Sequence, residues 1–350
     1  MSDTPTPEIA ASYQSAGRRA RLESWLNERW YDGARVPFWL AALEPLYRAS
    51  AALHALPYQQ GWLARSKMAV PVIVVGNLTA GGTGKTPLVI WLVGQLRKRG
   101  LRPGIICRGY QGKARGAPQM VNAQSDWREV GDEPVLLARR TQVPVAVGAD
   151  RVAAAQVLSA QCDVLVCDDG LQHHRLARDL EILLVDGIRR FGNGRRLPAG
   201  PLRQSAAHFA QRFPLRVVNG AHGEPGEWPM QLLGQNLLRL DGSQAESLAN
   251  WRGRQVRALA GIGNPQRFYN ALRSAGLEVR AVPVADHGIA SSAQLHSDAH
   301  LPLLMTEKDA LKYQIAELPD ARMFPVDAHL DSRLADLVWE QLCARRRAEL

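Results

Sequence analysis

The stretch "VIVVGNLTAGGTGKTPLVIWL", from Val72 to Leu92, changes character twice. Val72–Val75 is a short run of β-branched residues, which reads as a buried strand. A glycine-rich loop follows, closes on Gly84-Lys85-Thr86, and leads into an apolar helical pattern. Gly81, Gly82 and Gly84 let the backbone turn so that successive N–H groups point inward as an anion nest. A helix starting near Lys85 adds its positive end to that nest. In this strand–loop–helix context Lys85 reaches the β- and γ-phosphates of a triphosphate, and the Thr86 hydroxyl ligates Mg²⁺. The expected nucleotide-binding residues are therefore Thr79, Ala80, Gly81, Gly82, Thr83, Gly84, Lys85 and Thr86. Thr79 stands where the P-loop signature has its first glycine. That position begins the loop rather than wrapping the phosphates, so a side chain is tolerated there at negative φ.

Outward from this loop, apolar runs alternate with helical patterns. Strands are expected at Val72–Val75, Gly104–Cys107, Val143–Val147, Val164–Cys167 and Ile182–Val185. Helices are expected at Lys85–Arg99, Glu133–Arg140 and Arg151–Ala160. Continuous apolar strands separated by helices predict a parallel sheet covered on both faces. The Gly/Pro/Arg-rich segment "FGNGRRLPAGPLR" from Phe191 breaks the rhythm. Strands at Arg216–Val218, Val256–Ala260, Val279–Val284 and Leu303–Thr306 then predict a second, smaller α/β unit. The fold class is thus α/β: a P-loop NTPase-like parallel-sheet domain, a smaller α/β domain and an N-terminal amphipathic helical segment. The expected divisions are 1–66 for the helical segment, 67–188 for the P-loop core, 189–335 for the second domain and 336–350 for a terminal helix that returns to the first.

Acidic residues fall where such a sheet binds ligands, outside the carboxyl ends of its strands. In "DVLVCDDGLQHH" (Asp163–His174) a buried strand ends in Asp168 and Asp169, and a carboxylate that holds Mg²⁺ beside a P-loop is expected there. The alternative is a loop Asp-Asp-Gly turn. In "GDEP" (Gly131–Pro134), Asp132 reads equally as a helix N-cap or as an acceptor of a substrate proton, and Glu133 as a neighbour of the metal. Arg108, in "CRGYQG", either pairs with phosphate or lies on a surface turn. "VADHGIA" places Asp286 and His287 after a strand, and in "LMTEKDALK" Thr306 reads as the cap of a short helix.

The chain has 350 residues, a formal charge of +10 and four cysteines without metal-ligand spacing. The charge points to an acidic partner, with solvated surface as the alternative. No run of about 18 uninterrupted apolar residues predicts a spanning helix, and no signal peptide is expected. From Ser15 to His54, Trp25, Trp30, Phe38, Trp39, Leu43 and Leu46 recur at helical spacing beside Arg18, Arg19 and Arg21. Such a stripe packs on the protein's own core or lies on an anionic membrane.

The ordered set "PVIVVGNLTAGGTGKTP", "RGY", "GDEP", "DDGLQHH", "LPAGPLR", "AGIGNPQRF", "ADH" and "TEKDALK", over residues 68 to 312, resembles the tetraacyldisaccharide 4′-kinase (lipid A 4′-kinase) family of Gram-negative bacteria. The resemblance implies a P-loop kinase of two α/β domains with the active site in the cleft between them. It implies ATP as co-substrate, Mg²⁺ as cofactor and a tetraacyl-disaccharide 1-phosphate as acceptor at its 4′-hydroxyl. It assigns catalysis to Asp132, His287 and Lys85, and the metal to Thr86, Glu133, Asp168 and Asp169. Substrate contacts are expected from Arg108, Tyr110, Gln172, His173, Asn193 and Arg203. It also implies a peripheral protein on the cytoplasmic side of the inner membrane, with no nucleic-acid partner. The departures are Thr79, Cys107 before Arg108, and Gly288 after His287, where a second His is common. A kinase or ATPase with another small phosphoacceptor is the alternative. A nucleotide switch lacks its Asn-Lys-x-Asp guanine signature, and an aromatic-basic nucleic-acid module is absent.

Overall fold

The computed structural model describes residues 21–109, 112, 116–220 and 222–348. The chain forms two compact units. The larger comprises Arg35–Leu233 and Asp327–Leu350, and the smaller comprises Met1–Ala34 and Gly234–Val326.

The larger unit is built on β1 (Val72–Gly76), β2 (Pro103–Cys107), β3 (Gln119–Val121), β4 (Val145–Val147), β5 (Val164–Asp168), β6 (Leu180–Asp186), β7 (Leu215–Asn219) and β8 (Glu227–Leu233). The smaller unit carries β9 (Asn236–Arg239), β10 (Glu246–Ser247), β11 (Gln255–Leu259), β12 (Glu278–Val282), β13 (Leu303–Thr306) and β14 (Arg322–Phe324). The chain then returns as β15 (Asp327–Leu330) to the first sheet. That sheet has nine strands in the order β15-β8-β7-β6-β1-β5-β2-β4-β3. The seven strands from β8 to β4 run parallel, and the edge strands β15 and β3 are antiparallel. β1, β2, β4, β5 and β7 are buried at every position. This is why β1, β2, β4 and β5 read as continuous apolar runs instead of alternating ones, up to the closing Asp168 of β5, whereas β7 also buries Arg216 and Asn219.

The strand expected at Arg216–Val218 in the smaller unit is instead β7, paired in parallel with β6 from Ile182↔Leu215 to Asp186↔Asn219. The Gly/Pro/Arg-rich break at Phe191 therefore lies within the larger sheet's connection from β6 to β7. Its irregularity has a structural use, since the segment returns to the phosphate loop. β8 and the edge strand β15 escaped the sequence reading because exposed strands lack a continuous apolar run: in β8 only Met230 is buried.

The N-terminal region also divides. Residues 21–31 are helical and cluster with the smaller unit, whereas the 22-residue helix Phe38–Gln59 belongs to the larger one. The expectation for residues 1–20 lies outside the described residues. In the smaller unit a six-stranded sheet, β10-β9-β14-β13-β11-β12, holds its own core around Trp251, Phe268, Leu272 and Leu304.

Candidate active site

β1 ends at Gly76, and its neighbour β5 is in register so that Val75 pairs with Asp168. This register puts the Asp168-Asp169 pair beside the loop that leaves β1, at the carboxyl edge of the sheet. In the loop, Gly81 and Gly84 adopt φ of 101° and 96°, conformations that a side chain disfavours. Gly82 is not at positive φ, so the turn needs two of the three expected glycines. A Cβ on Gly84 would also lie 2.4 Å from Asn219 Nδ2. Gly84 is the N-cap of the helix Lys85–Lys98 and offers no side-chain acceptor. The helix's first amides thus have no side-chain cap and are available to an anion.

Thr79 is explained by its backbone. It bridges Leu202, while Ala80 N donates to Pro201 O at 2.7 Å and Arg203 N donates to Leu78 O at 2.7 Å. The phosphate loop is therefore entered from a two-stranded clasp with Pro201–Arg203, and Thr79 is buried there. A β-branched residue suits an extended, buried position. On the other side Asn219, at the end of β7, donates Nδ2 to Thr83 O at 2.7 Å.

Lys85 Nζ lies 3.3 Å from Asn77 Oδ1 and 3.5 Å from Asp169 Oδ1. Arg203 Nη1 donates to Asp169 Oδ1 at 3.1 Å and Oδ2 at 2.9 Å, and lies 3.5 Å from Gln172 Oε1. Gln172 Nε2 donates to Asn77 O at 3.1 Å. Burial alone would raise the Asp169 pKa, but the charges of Lys85 and Arg203 outweigh it and hold the carboxyl well below its usual range. Asp168 goes the other way. Burial first and the Glu133 charge second push it up to about 7, against the pull of Lys85. Its buried Oδ1 has no hydrogen-bond partner among the described residues. Two adjacent carboxylates thus carry different protonation, because one faces cations and the other faces a carboxylate.

Asp132 is buried and is the first residue of the helix Asp132–Thr141, so Gly131 is the N-cap and the capping reading of Asp132 fails. Its Oδ1 accepts from Glu133 N at 2.8 Å. His173 Nδ1 accepts from Leu176 N at 3.3 Å. Burial and then the Arg151 charge bring the His173 pKa down to about 4, so the ring is neutral at pH 7. Asn193 turns inward on its own loop, donating to Ala199 O at 2.9 Å and accepting from Arg195 N at 3.0 Å. Arg108 follows β2 and is exposed. Tyr110 lies outside the described residues.

The structure also brings in residues that the sequence reading missed: Asn77, Asn219 and Arg151. Arg151 is buried at the start of the helix Arg151–Ser159, and its charge acts on Asp168, Asp169 and His173. A buried arginine beside two aspartates is a functional signal only once burial is known.

In the smaller unit His287 sits in a left-handed turn at φ 58°. Its Nε2 is 3.2 Å from Lys308 Nζ and 3.7 Å from Asp286 Oδ1. Thr306 caps the following helix as expected, accepting from Asp309 N.

No group of three or more His, Cys, Asp and Glu residues among the described residues forms a ready metal cage. Mg²⁺ has no need of one, because it keeps waters and is held through one or two carboxylates together with substrate phosphates. Asp168 fits that demand: its partnerless oxygen, in a carboxyl that burial keeps near half-protonated, takes a cation in place of the proton.

The sequence profile of the tetraacyldisaccharide-1-P 4′-kinase family matches residues 36–343. The chain belongs to that family. A tetraacyldisaccharide 4′-kinase of Stenotrophomonas maltophilia is 48% identical over 293 residues, covering 81% of this chain and 86% of that protein. One of Xanthomonas axonopodis pv. citri is 44% identical over 329 residues, covering 90% and 94%. Among solved structures, LpxK from Aquifex aeolicus in complex with ATP superposes with a TM-score of 0.69 at 28% identity, covering 86% of this chain and 99% of that one.

Proposed function

We propose that this family member transfers the γ-phosphate of ATP to the 4′-hydroxyl of a tetraacyl-disaccharide 1-phosphate, a step of lipid A biosynthesis. The observation that carries this reading is the Val75↔Asp168 register, which sets a buried carboxylate beside a P-loop whose lysine already meets Asp169. The acceptor follows from the relatives, which are tetraacyldisaccharide 4′-kinases.

In this reading the loop from Thr79 to Thr86 binds the triphosphate, and Lys85 neutralises charge that develops on the transferred group. Asp168, with Thr86 and Glu133, would hold Mg²⁺, which would supply charge neutralisation on the phosphates when bound. Asp169 is already engaged by Lys85 and Arg203, which favours Asp168 over it as the ligand. Asp132 is the base that takes the proton of the attacking sugar hydroxyl, and His287 is the second catalytic residue. Arg108, Tyr110, Gln172, His173 and Arg203 are the candidate substrate contacts; Asn193 shapes the loop that supports Arg203.

The protein acts from the surface of a membrane on its cytoplasmic side. No described helix is long and apolar enough to cross one. In the helix Phe38–Gln59 only Leu40 is buried, whereas Phe38 is 85%, Leu46 66% and Leu53 72% exposed. At about 100° per residue, Phe38, Trp39, Leu43, Leu46, Leu53 and Leu56 share one sector roughly 140° wide, and Leu40 and Tyr47 lie outside it. Trp62, just beyond, is 72% exposed. A contiguous exposed apolar stripe of this kind is the signature of an interfacial helix. Tyr47 donates its hydroxyl to Arg203 O at 3.0 Å, which ties this helix to the arm that carries the Asp169 partner.

The test is the full-length protein with γ-labelled ATP, Mg²⁺ and tetraacyl-disaccharide 1-phosphate in detergent. The expected product is labelled lipid. ATP hydrolysis without labelled lipid would favour the reading as an ATPase or a kinase of another acceptor.

A further inference from the structure

Asp309 and Lys312 are both fully buried in the smaller unit and form an ion pair of 2.9 Å. A buried pair is a poor device for stability, since apolar residues of the same volume usually do as well. What apolar residues cannot do is hold backbone groups. Lys312 Nζ also donates to Gly288 O at 3.1 Å. Asp309 Oδ2 accepts from Gly261 N at 2.9 Å and from Thr306 Oγ1 at 2.6 Å. Gly261 in turn accepts His287 N through its carbonyl at 2.9 Å. The next residue, Tyr313, accepts Ala290 N on its hydroxyl at 2.8 Å.

The turn 285–290 is therefore tied at His287, Gly288 and Ala290, and two of these ties originate in the buried pair. His287 needs such ties. A non-glycine residue at φ 58° is strained and persists only where its surroundings impose the conformation. The packing leaves no slack for substitution either: a Cβ on Gly261 would lie 2.8 Å from Asp309 Oδ1, and one on Gly288 would lie 2.9 Å from Ala285 O. The glycine at 288 accordingly belongs to the clamp.

We propose that Asp309 and Lys312 are positioning residues for His287: the buried pair fixes the left-handed turn that aims the imidazole. This rests on the reading that His287 is catalytic. A misplacement of about 1 Å is enough to cost on the order of 10²-fold in turnover.

The experiment is a kinetic double-mutant cycle in the full-length kinase with ATP and the lipid acceptor. Lys312→Met is expected to lower kcat on the order of 10²-fold, with the KM for ATP unchanged because the phosphate loop belongs to the other compact unit. In a His287→Gln background the same change is expected to leave the residual kcat unaltered. The double variant Asp309→Leu/Lys312→Met removes both charges at similar volume, preserves the fold, and is expected to reproduce both results. Wild-type kcat in either variant, or the same fold-loss in the His287→Gln background, would overturn the positioning role while leaving the catalytic reading intact. Undiminished turnover in His287→Gln would overturn the catalytic reading itself, and the proposal with it.

Discussion

Arg203 meets Asp169 through one nitrogen, Nη1, which lies 3.1 Å from Oδ1 and 2.9 Å from Oδ2. The same carboxylate stands 3.5 Å from Lys85 Nζ. Asp169 is thus shared between the lysine of the phosphate loop and an arginine on the clasp that supports the loop. If the arginine is removed, the carboxylate competes more strongly for Lys85 and draws it from the phosphates. Arg203→Gln is expected to lower kcat/KM for ATP by about 10- to 100-fold, the loss of a hydrogen bond to a charged group. In Asp169→Asn the further loss on adding Arg203→Gln should shrink. Strictly multiplicative losses would show that the two residues do not act together.

Lys85→Ala and Asp132→Ala are each expected to abolish labelled-lipid formation while thermal melts stay within a few degrees of wild type. Loss of a general base costs about 10²- to 10⁴-fold. An Asp132→Ala enzyme with near-wild-type turnover would remove Asp132 from the base role.

The Asp168 carboxyl has a pKa of about 7, raised from 3.8 by burial and by Glu133. The folded state therefore binds a proton that the unfolded state has released between those values. Its contribution to stability is complete below pH 3.8 and is lost as pH rises through about 7. Without metal, the melting temperature of wild type minus that of Asp168→Asn should therefore fall as pH rises across this window. Mg²⁺ competes with the same proton, so stabilisation by Mg²⁺ should grow with pH in wild type and vanish in Asp168→Asn. A difference that stays flat with pH would refute the raised pKa.

The exposed stripe of the helix Phe38–Gln59 contributes little to the core. Phe38→Glu, Leu53→Glu and Trp62→Glu together should leave the melting temperature and the activity on detergent-dispersed acceptor nearly unchanged, and should abolish co-flotation with anionic vesicles. Retained flotation would mean that another surface binds the membrane. Trp25 and Trp30 are poorer choices for this test. Both are half-buried, and the Arg29 guanidinium stacks 3.8 Å from the Trp25 ring.

The phosphate loop was legible because its chemistry is local. Strand, glycines, lysine and helix lie within a few residues, and the observed helix Lys85–Lys98 ends one residue from the expected limit. The buried strands were legible for the same reason, since full burial leaves a continuous apolar run. β8 was not, because a strand with one buried residue has no such run. Asn219 escaped notice because nothing around it in the chain marks it. Its role comes from a hydrogen bond to Thr83, 136 residues away in sequence. The division of labour between Asp168 and Asp169 was equally hidden, because adjacent residues in one motif differ only in which neighbours face them.

Sequence alone determined that this chain has a P-loop on a parallel α/β sheet, and its ordered motifs assigned the family, because those features depend on residue type and spacing over short distances. Tertiary structure decided where the large sheet ends, why threonine stands at position 79, which aspartate Lys85 and Arg203 engage and what holds His287 in a strained turn. Each of these depends on burial and on groups far apart in the chain, where a low dielectric and fixed geometry set the protonation and the partners.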